Sequence, residues 1–154
     1  MNILRNTLAI IAGLILGGII NMALIMISGF IIPPPEGVDN TSMDGLREGM
    51  HLMGPSDFVM PFLAHALGTF AGAITAALIA KGKKMNVAMI IGVFFLFGGI
   101  ISSFQLPAPA WFKAVDLIFA YIPMAWLAAK VAGLLKNSSH DSAVDSQTTD
   151  GQTA

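Results

Sequence analysis

The stretch "PFLAHALGTFAGAITAALIA", Pro61 to Ala80, decides the fold. A helix needs about 20 apolar residues to cross a hydrocarbon core of roughly 30 Å, and no Asp, Glu, Lys or Arg interrupts this run. Ala64, Gly68, Gly72, Ala76 and Ala80 recur at every fourth position, which places them in one strip along a helix. His65 stands at the edge of that strip, one polar ring in an otherwise apolar segment.

Three more segments flank it. Asn6 to Ile32 and Met85 to Leu106 are uncharged, and Leu117 to Leu135 is interrupted only by Lys130. A lysine near a helix end extends its stem and leaves its ammonium among the headgroups. None of the runs alternates with a period of two, and backbone groups in lipid must bond within a helix or a closed barrel. The expectation is an all-α polytopic membrane protein: four spans at about 6–32, 58–80, 85–106 and 117–135, within a membrane domain of residues 1–136. Arg5 ahead of an apolar run also suits a signal peptide, but a signal core has about 7–15 residues. Here the apolar run continues to Pro33.

Composition agrees. The 154 residues are 55% hydrophobic and 11% charged, with a mean hydropathy of +0.76, whereas about a quarter of a soluble domain is charged. The absence of cysteine excludes disulfides, thiolate nucleophiles and zinc–thiolate sites. Arg5, Lys81, Lys83, Lys84, Lys130 and Lys136 gather at one set of helix ends, against Arg47 and Lys113 at the other. The positive-inside rule then puts both termini in the cytoplasm, makes "KGKK" an inner turn, and leaves the acidic loop Pro33 to Ser56 outside. Trp111 and Phe112 stand where an aromatic belt meets headgroups. The polar tail 137–154, with His140 and no aromatic residue, is expected to be disordered and cytoplasmic.

The outer loop has its own pattern. After "PPPEG", whose prolines enforce an extended path, the segment "TSMDGLREGMHLMGP" sets Met43, Leu46, Met50 and Met53 at helical spacing. Thr41 and Asp44 have the spacing of a capping box. This reads as a short interfacial helix on the membrane surface. Met50, His51 and Met53 offer ligand types suited to monovalent copper, yet methionines at helical spacing ordinarily fill an apolar face, and no metal or other cofactor is expected.

Two features bear on packing and on a site. Ala9, Gly13, Gly17 and Asn21 in the first helix repeat the every-fourth pattern of Gly68 and Gly72 in the second. Such small-xxx-small strips, a glycine-zipper arrangement, let helix backbones meet in lipid, so these two helices are expected to pack on them. "GGIINM" and "GGIISS" hint at a parallel repeat of helical hairpins. At about 1.5 Å per residue, His65 and Tyr121 fall at comparable depth, Ser102 and Ser103 nearer the outside, and Asn21 and Thr69 near the midplane. Together they form a candidate polar layer, joined by Ser28 and by the carbonyl that Pro123 leaves unbonded. His65 is expected to bond Asn21, Tyr121 or a serine of the third helix.

"NMALIM" with "IPPPEGVD", "PFLAHALGTFAGAITAAL", "LPAPAWF" and "AYIPMAW" resemble a family of small uncharacterised bacterial membrane proteins with four expected spans. That resemblance implies the bacterial inner membrane and carries no site residues. Small multidrug exporters are similar in size, but their pattern has a glutamate in the first helix, where this chain has Asn21 and no acid.

Function is read first as a non-enzymatic packing or accessory role, with a solute or ion pathway as the alternative and an intramembrane enzyme as the last reading. The small-residue strips fit a non-enzymatic packing or accessory component, self-associating or bound to another membrane protein, with the lipid bilayer as its surroundings and no nucleic-acid partner. The polar layer beneath an acidic loop fits a small-solute or ion pathway. Ser28, His65 and Asp57 supply residue types for nucleophilic chemistry without a nucleophile motif, so no catalytic residue is assigned.

Overall fold

A computed structural model describes residues 2–135. The expected tail 137–154, His140 and Lys136 lie outside the described residues. Among those described, the chain is all-α, a four-helix bundle with no strand. The elements are α1 (Asn2–Ile31), α2 (Met43–Gly49), α3 (Val59–Ile79), α4 (Lys84–Gln105), α5 (Ala110–Phe119) and α6 (122–135), with short 3-10 turns at Met50–Leu52 and Pro55–Phe58. Four rods, Ile3–Ile31, Pro55–Ile79, Lys84–Gln105 and Ala110–Leu135, are long and apolar enough to cross a membrane.

The fourth rod is bent. Pro123 has no N–H to donate to Phe119, and the helix breaks at Ala120 and Tyr121, one turn before the proline's ring is accommodated. The rod also begins at Ala110, not at Leu117, so Lys113 and Asp116 belong to it. An uncharged run had marked its start in the sequence; in the fold, α5 tucks both charged side chains toward the bundle and leaves Trp111, Val115, Ile118 and Phe119 outward.

The helix α3 is the central one, packed along α1, α4 and α5. Its strip of small residues meets that of α1: a Cβ placed on Gly13 would lie 2.5 Å from the carbonyl oxygen of Gly72, and one on Gly17 would lie 2.7 Å from that of Gly68. Backbones therefore touch where side chains are absent. A second close approach joins α4 to α6, where a Cβ on Gly92 would stand 2.6 Å from that of Ala125. The end of the bundle nearest the α3–α4 turn, here the proximal end, has a core made chiefly of alanine: Ala9, Ala73, Ala76, Ala77, Ala80, Ala88, Ala125, Ala128, Ala129 and Ala132, with Val87 and Ile91.

Polar side chains tie that end together. Arg5 Nε donates to Ile79 O at 2.6 Å, and Lys81 N donates to Asn6 Oδ1 at 2.9 Å. Lys84 Nζ donates to Ala132 O at 3.3 Å. Basic groups thus meet the unbonded carbonyls and negative dipole end of neighbouring helices. Gly82, at φ +86°, supplies the left-handed residue that the "KGKK" turn needs. Lys130 is exposed and lies 5.4 Å from the Trp126 ring centre.

Residues 33–58 fold over the opposite, distal end. Ser42, not Thr41, caps α2, its Oγ accepting from Gly45 N at 3.0 Å; Thr41 Oγ1 instead donates to Asp39 Oδ1 at 2.6 Å. Hydrogen bonds from the Thr41 hydroxyl, the Ser42 hydroxyl and the Thr41 N–H hold the Asp39 carboxyl below its ordinary range. A Cβ on Gly49 would press within 2.8 Å of Val38, so the extended segment runs directly against α2. The methionine face of α2 and the turn after it lines a cavity: Met43, Leu46, Met50 and Met53 contribute to its wall, and Met50 is buried. The expected short helix of the outer loop is present, and it also caps the bundle, its apolar side chains lining the cavity.

Candidate functional site

The cavity beneath this cap has a volume of about 800 Å³. Its wall takes Ser28 from α1, Asn40 and Met50 from the cap, His65 from α3, Ser102 and Ser103 from α4, and Lys113 and Asp116 from α5. Arg47 Nε donates to Gln105 O at 2.9 Å and Lys113 Nζ donates to Ser103 O at 2.7 Å. Both cations thereby neutralise carbonyls at the end of α4, where the helix dipole is negative. Phe58 packs on Phe112, ring centres 4.7 Å apart, and on Trp111 at 5.7 Å. These rings join the cap to α5, while Trp111 remains half exposed.

Asp116 is the polar centre of the floor. It is 4% exposed, and both of its oxygens are bonded: Oδ1 lies 2.9 Å from His65 Nδ1, and Oδ2 accepts from the Tyr121 hydroxyl at 2.9 Å. With the carboxylate ionised and the imidazole neutral, His65 carries its hydrogen on Nδ1 and leaves Nε2 as an acceptor. The rings of His65 and Tyr121 stack with centres 5.8 Å apart and planes inclined by 29°. The bend at Ala120 and Tyr121 makes this possible, since it returns the tyrosine toward an aspartate five residues earlier. Gly99 gives the phenol its space; a Cβ there would collide with the Tyr121 hydroxyl.

The six residues of the expected polar layer divide into three groups. His65, Ser102 and Ser103 line the cavity. Tyr121 lies just beneath it, 2% exposed, reaching Asp116. Asn21 and Thr69 lie off the wall, and the buried Asn21 Oδ1 and Thr69 Oγ1 have no hydrogen-bond partner. Gly13, Gly17, Gly68 and Gly72 lie in the α1–α3 contact, away from the cavity. His65 bonds Asp116 and not Asn21, Tyr121 or a serine of α4.

A carboxylate has the stronger claim on an imidazole N–H than a neutral oxygen has. Sequence reasoning missed Asp116 because it sought uncharged runs and ended the membrane segment beside it. The helical spacing of Lys113, Asp116 and Ala120, one inward face between exposed Trp111, Val115 and Ile118, was the available signal.

The chemistry is that of a buried carboxyl group hydrogen-bonded to an adjoining imidazole and phenol. Ser28 Oγ donates to Ile25 O at 2.6 Å and Ser103 Oγ to Gly99 O at 2.9 Å, so these two hydroxyls serve their own helices and not His65. Met50 is turned inward while His51 is exposed, which separates two members of the methionine–histidine cluster. Among the described residues no three His, Asp or Glu side chains gather as metal ligands.

No family model, curated protein or solved structure matches the chain. The likeness to small bacterial membrane proteins therefore stays a resemblance of short motifs, and the site has to be read from its own geometry.

Proposed function

We propose that the protein is a non-enzymatic, multi-pass protein of the bacterial inner membrane, with cytoplasmic termini, whose distal cavity receives a small solute from outside. One observation carries this reading: Asp116, an almost fully buried carboxylate within a candidate membrane span, forms the floor of the large cavity. Ionisable groups within spans are costly and mark solute, ion or proton sites. A cavity of this volume falls within the range of small-molecule pockets, about 300–1,000 Å³.

The rival accessory reading drew its support from the small-residue strips. Those strips are taken up by the α1–α3 contact inside one chain, so they call for no second copy and no partner. The site also lacks a hydroxyl bonded to His65, which argues against nucleophilic catalysis. The proximal end of the bundle is filled by the alanine core.

Accessibility tests the reading. The natural chain has no cysteine. Ser103→Cys, on the cavity wall, should react with a water-soluble methanethiosulfonate, whereas Phe97→Cys, on the exposed apolar face of the same helix, should not. An unreactive Ser103→Cys in folded protein would refute a water-reachable cavity.

A further inference from the structure

The cavity's lining is more specific than its volume. Six of the chain's ten methionines, Met22, Met26, Met43, Met50, Met53 and Met60, contribute to it. Thioether side chains are polarizable and unbranched, and they adapt to guests of varied shape. Phe58 and Phe112 add aromatic surface, and aromatic faces attract cations. The wall therefore suits an apolar body, and the floor decides what charge that body carries.

The charged groups of the wall are Asp57, His65, Lys113 and Asp116. The segments of α1, α2 and α4 that line it contribute no charged or titratable side chain, and Tyr121 behind the floor is a neutral donor. Lys113 is engaged at Ser103 O. Among the described residues, the one ion-pair partner of Asp116 is His65. With a neutral imidazole the wall holds two acids against one lysine. Tyr121 and His65 bond one hydrogen each to the carboxylate, which has about four lone-pair sites, so Asp116 retains capacity for a guest. The cap adds Glu36, Asp39, Asp44 and Glu48 against Arg47, an acidic excess that draws cations to this end of the bundle.

We infer that the cavity binds amphipathic organic monocations, the apolar part against the methionines and the positive centre toward Asp116, in competition with a proton taken up by His65. Protonation of the imidazole turns the His65–Asp116 pair from an anion into a neutral ion pair and removes the net attraction. Cation and proton thus exclude one another at a single floor. This inference rests on the small-solute reading and adds the sign of the charge.

The test uses the full-length protein in detergent and two ions of matched shape, tetraphenylphosphonium and tetraphenylborate, titrated calorimetrically at pH 8 and pH 5.5. The expected result is that the phosphonium binds and the borate does not, with weaker phosphonium binding at pH 5.5. Asp116→Asn should weaken phosphonium binding by at least about tenfold, since it deletes a charge in a medium of low dielectric. His65→Gln should flatten the ratio between the two pH values, whatever its absolute affinity, because glutamine donates a hydrogen bond but does not titrate. Equal binding of both ions by the wild-type protein would overturn the cation inference and leave the solute cavity standing. Failure of both ions to bind, with Ser103→Cys still reactive, would do the same. An unreactive Ser103→Cys would overturn both. The comparison of ions on the wild-type chain does not depend on either variant folding.

Discussion

Two adjacent glycines give the sharpest test of how the bundle is held together. A Cβ on Gly17 would sit 2.7 Å from Gly68 O and 3.0 Å from the Phe95 ring, whereas a Cβ on Gly18 has nothing within 4 Å. The ring edge has room to swing; the Gly68 carbonyl belongs to a helix and does not. Non-bonded heavy atoms attract best at about 3.5–4.0 Å, so Gly17→Ala forces α1 and α3 apart locally by roughly 1 Å, enough to forfeit a quarter to a half of each nearby contact. Overpacking of this kind costs about 1–3 kcal/mol. Both substitutions gain roughly 1 kcal/mol of helix propensity, which cancels in their difference.

Gly17→Ala should therefore fall about 1–3 kcal/mol below Gly18→Ala, with Gly18→Ala equal to or slightly above the natural protein. Equilibrium unfolding in mixed micelles, followed by the fluorescence of Trp111 and Trp126, measures this difference. Equal stability of the two variants would refute backbone contact between α1 and α3 as the source of cohesion.

Thr69 is fully buried with an unpartnered hydroxyl, a condition that costs about 1–3 kcal/mol; Thr69→Val should raise stability by about 1 kcal/mol, and a loss would show that a bound water satisfies the group. For orientation, Asn40→Cys and Lys83→Cys, at the distal and proximal ends, should label from opposite sides of sealed vesicles, Asn40→Cys from outside. Labelling of both from one side would contradict a membrane-spanning bundle.

The spans and the α1–α3 contact were legible because each depends on local composition. An uncharged run reports its solvent, and glycine at every fourth position in two helices leaves few other ways for them to meet. The site depended on information that no local window holds. His65 stood out as a polar residue, but its partner lies on another helix, and Asp116 sat at the edge where a search for apolar runs stops. The carbonyl freed by Pro123 was visible in the sequence; that the helix would bend there and turn Tyr121 back onto Asp116 required the tertiary path. For the outer-loop helix the methionine spacing gave the apolar face; that this face also lines a cavity required the tertiary path.

The alanine core has a mechanical consequence. Alanine has no χ1 rotamers to reset, and a methyl group interlocks only shallowly with its neighbours. Helices that meet through Ala73, Ala77, Ala88, Ala125 and Ala128 present smooth bearings to one another, and small sliding motions of packed helices require no change of rotamer. The distal end is geared instead, by the Phe58, Trp111 and Phe112 rings and by Arg47 and Lys113 hooked to the end of α4. The proximal helices are thus held by the polar ties of Arg5, Asn6 and Lys84 and not by interlocking side chains, and any larger side chain introduced among those alanines would act as a tooth between them.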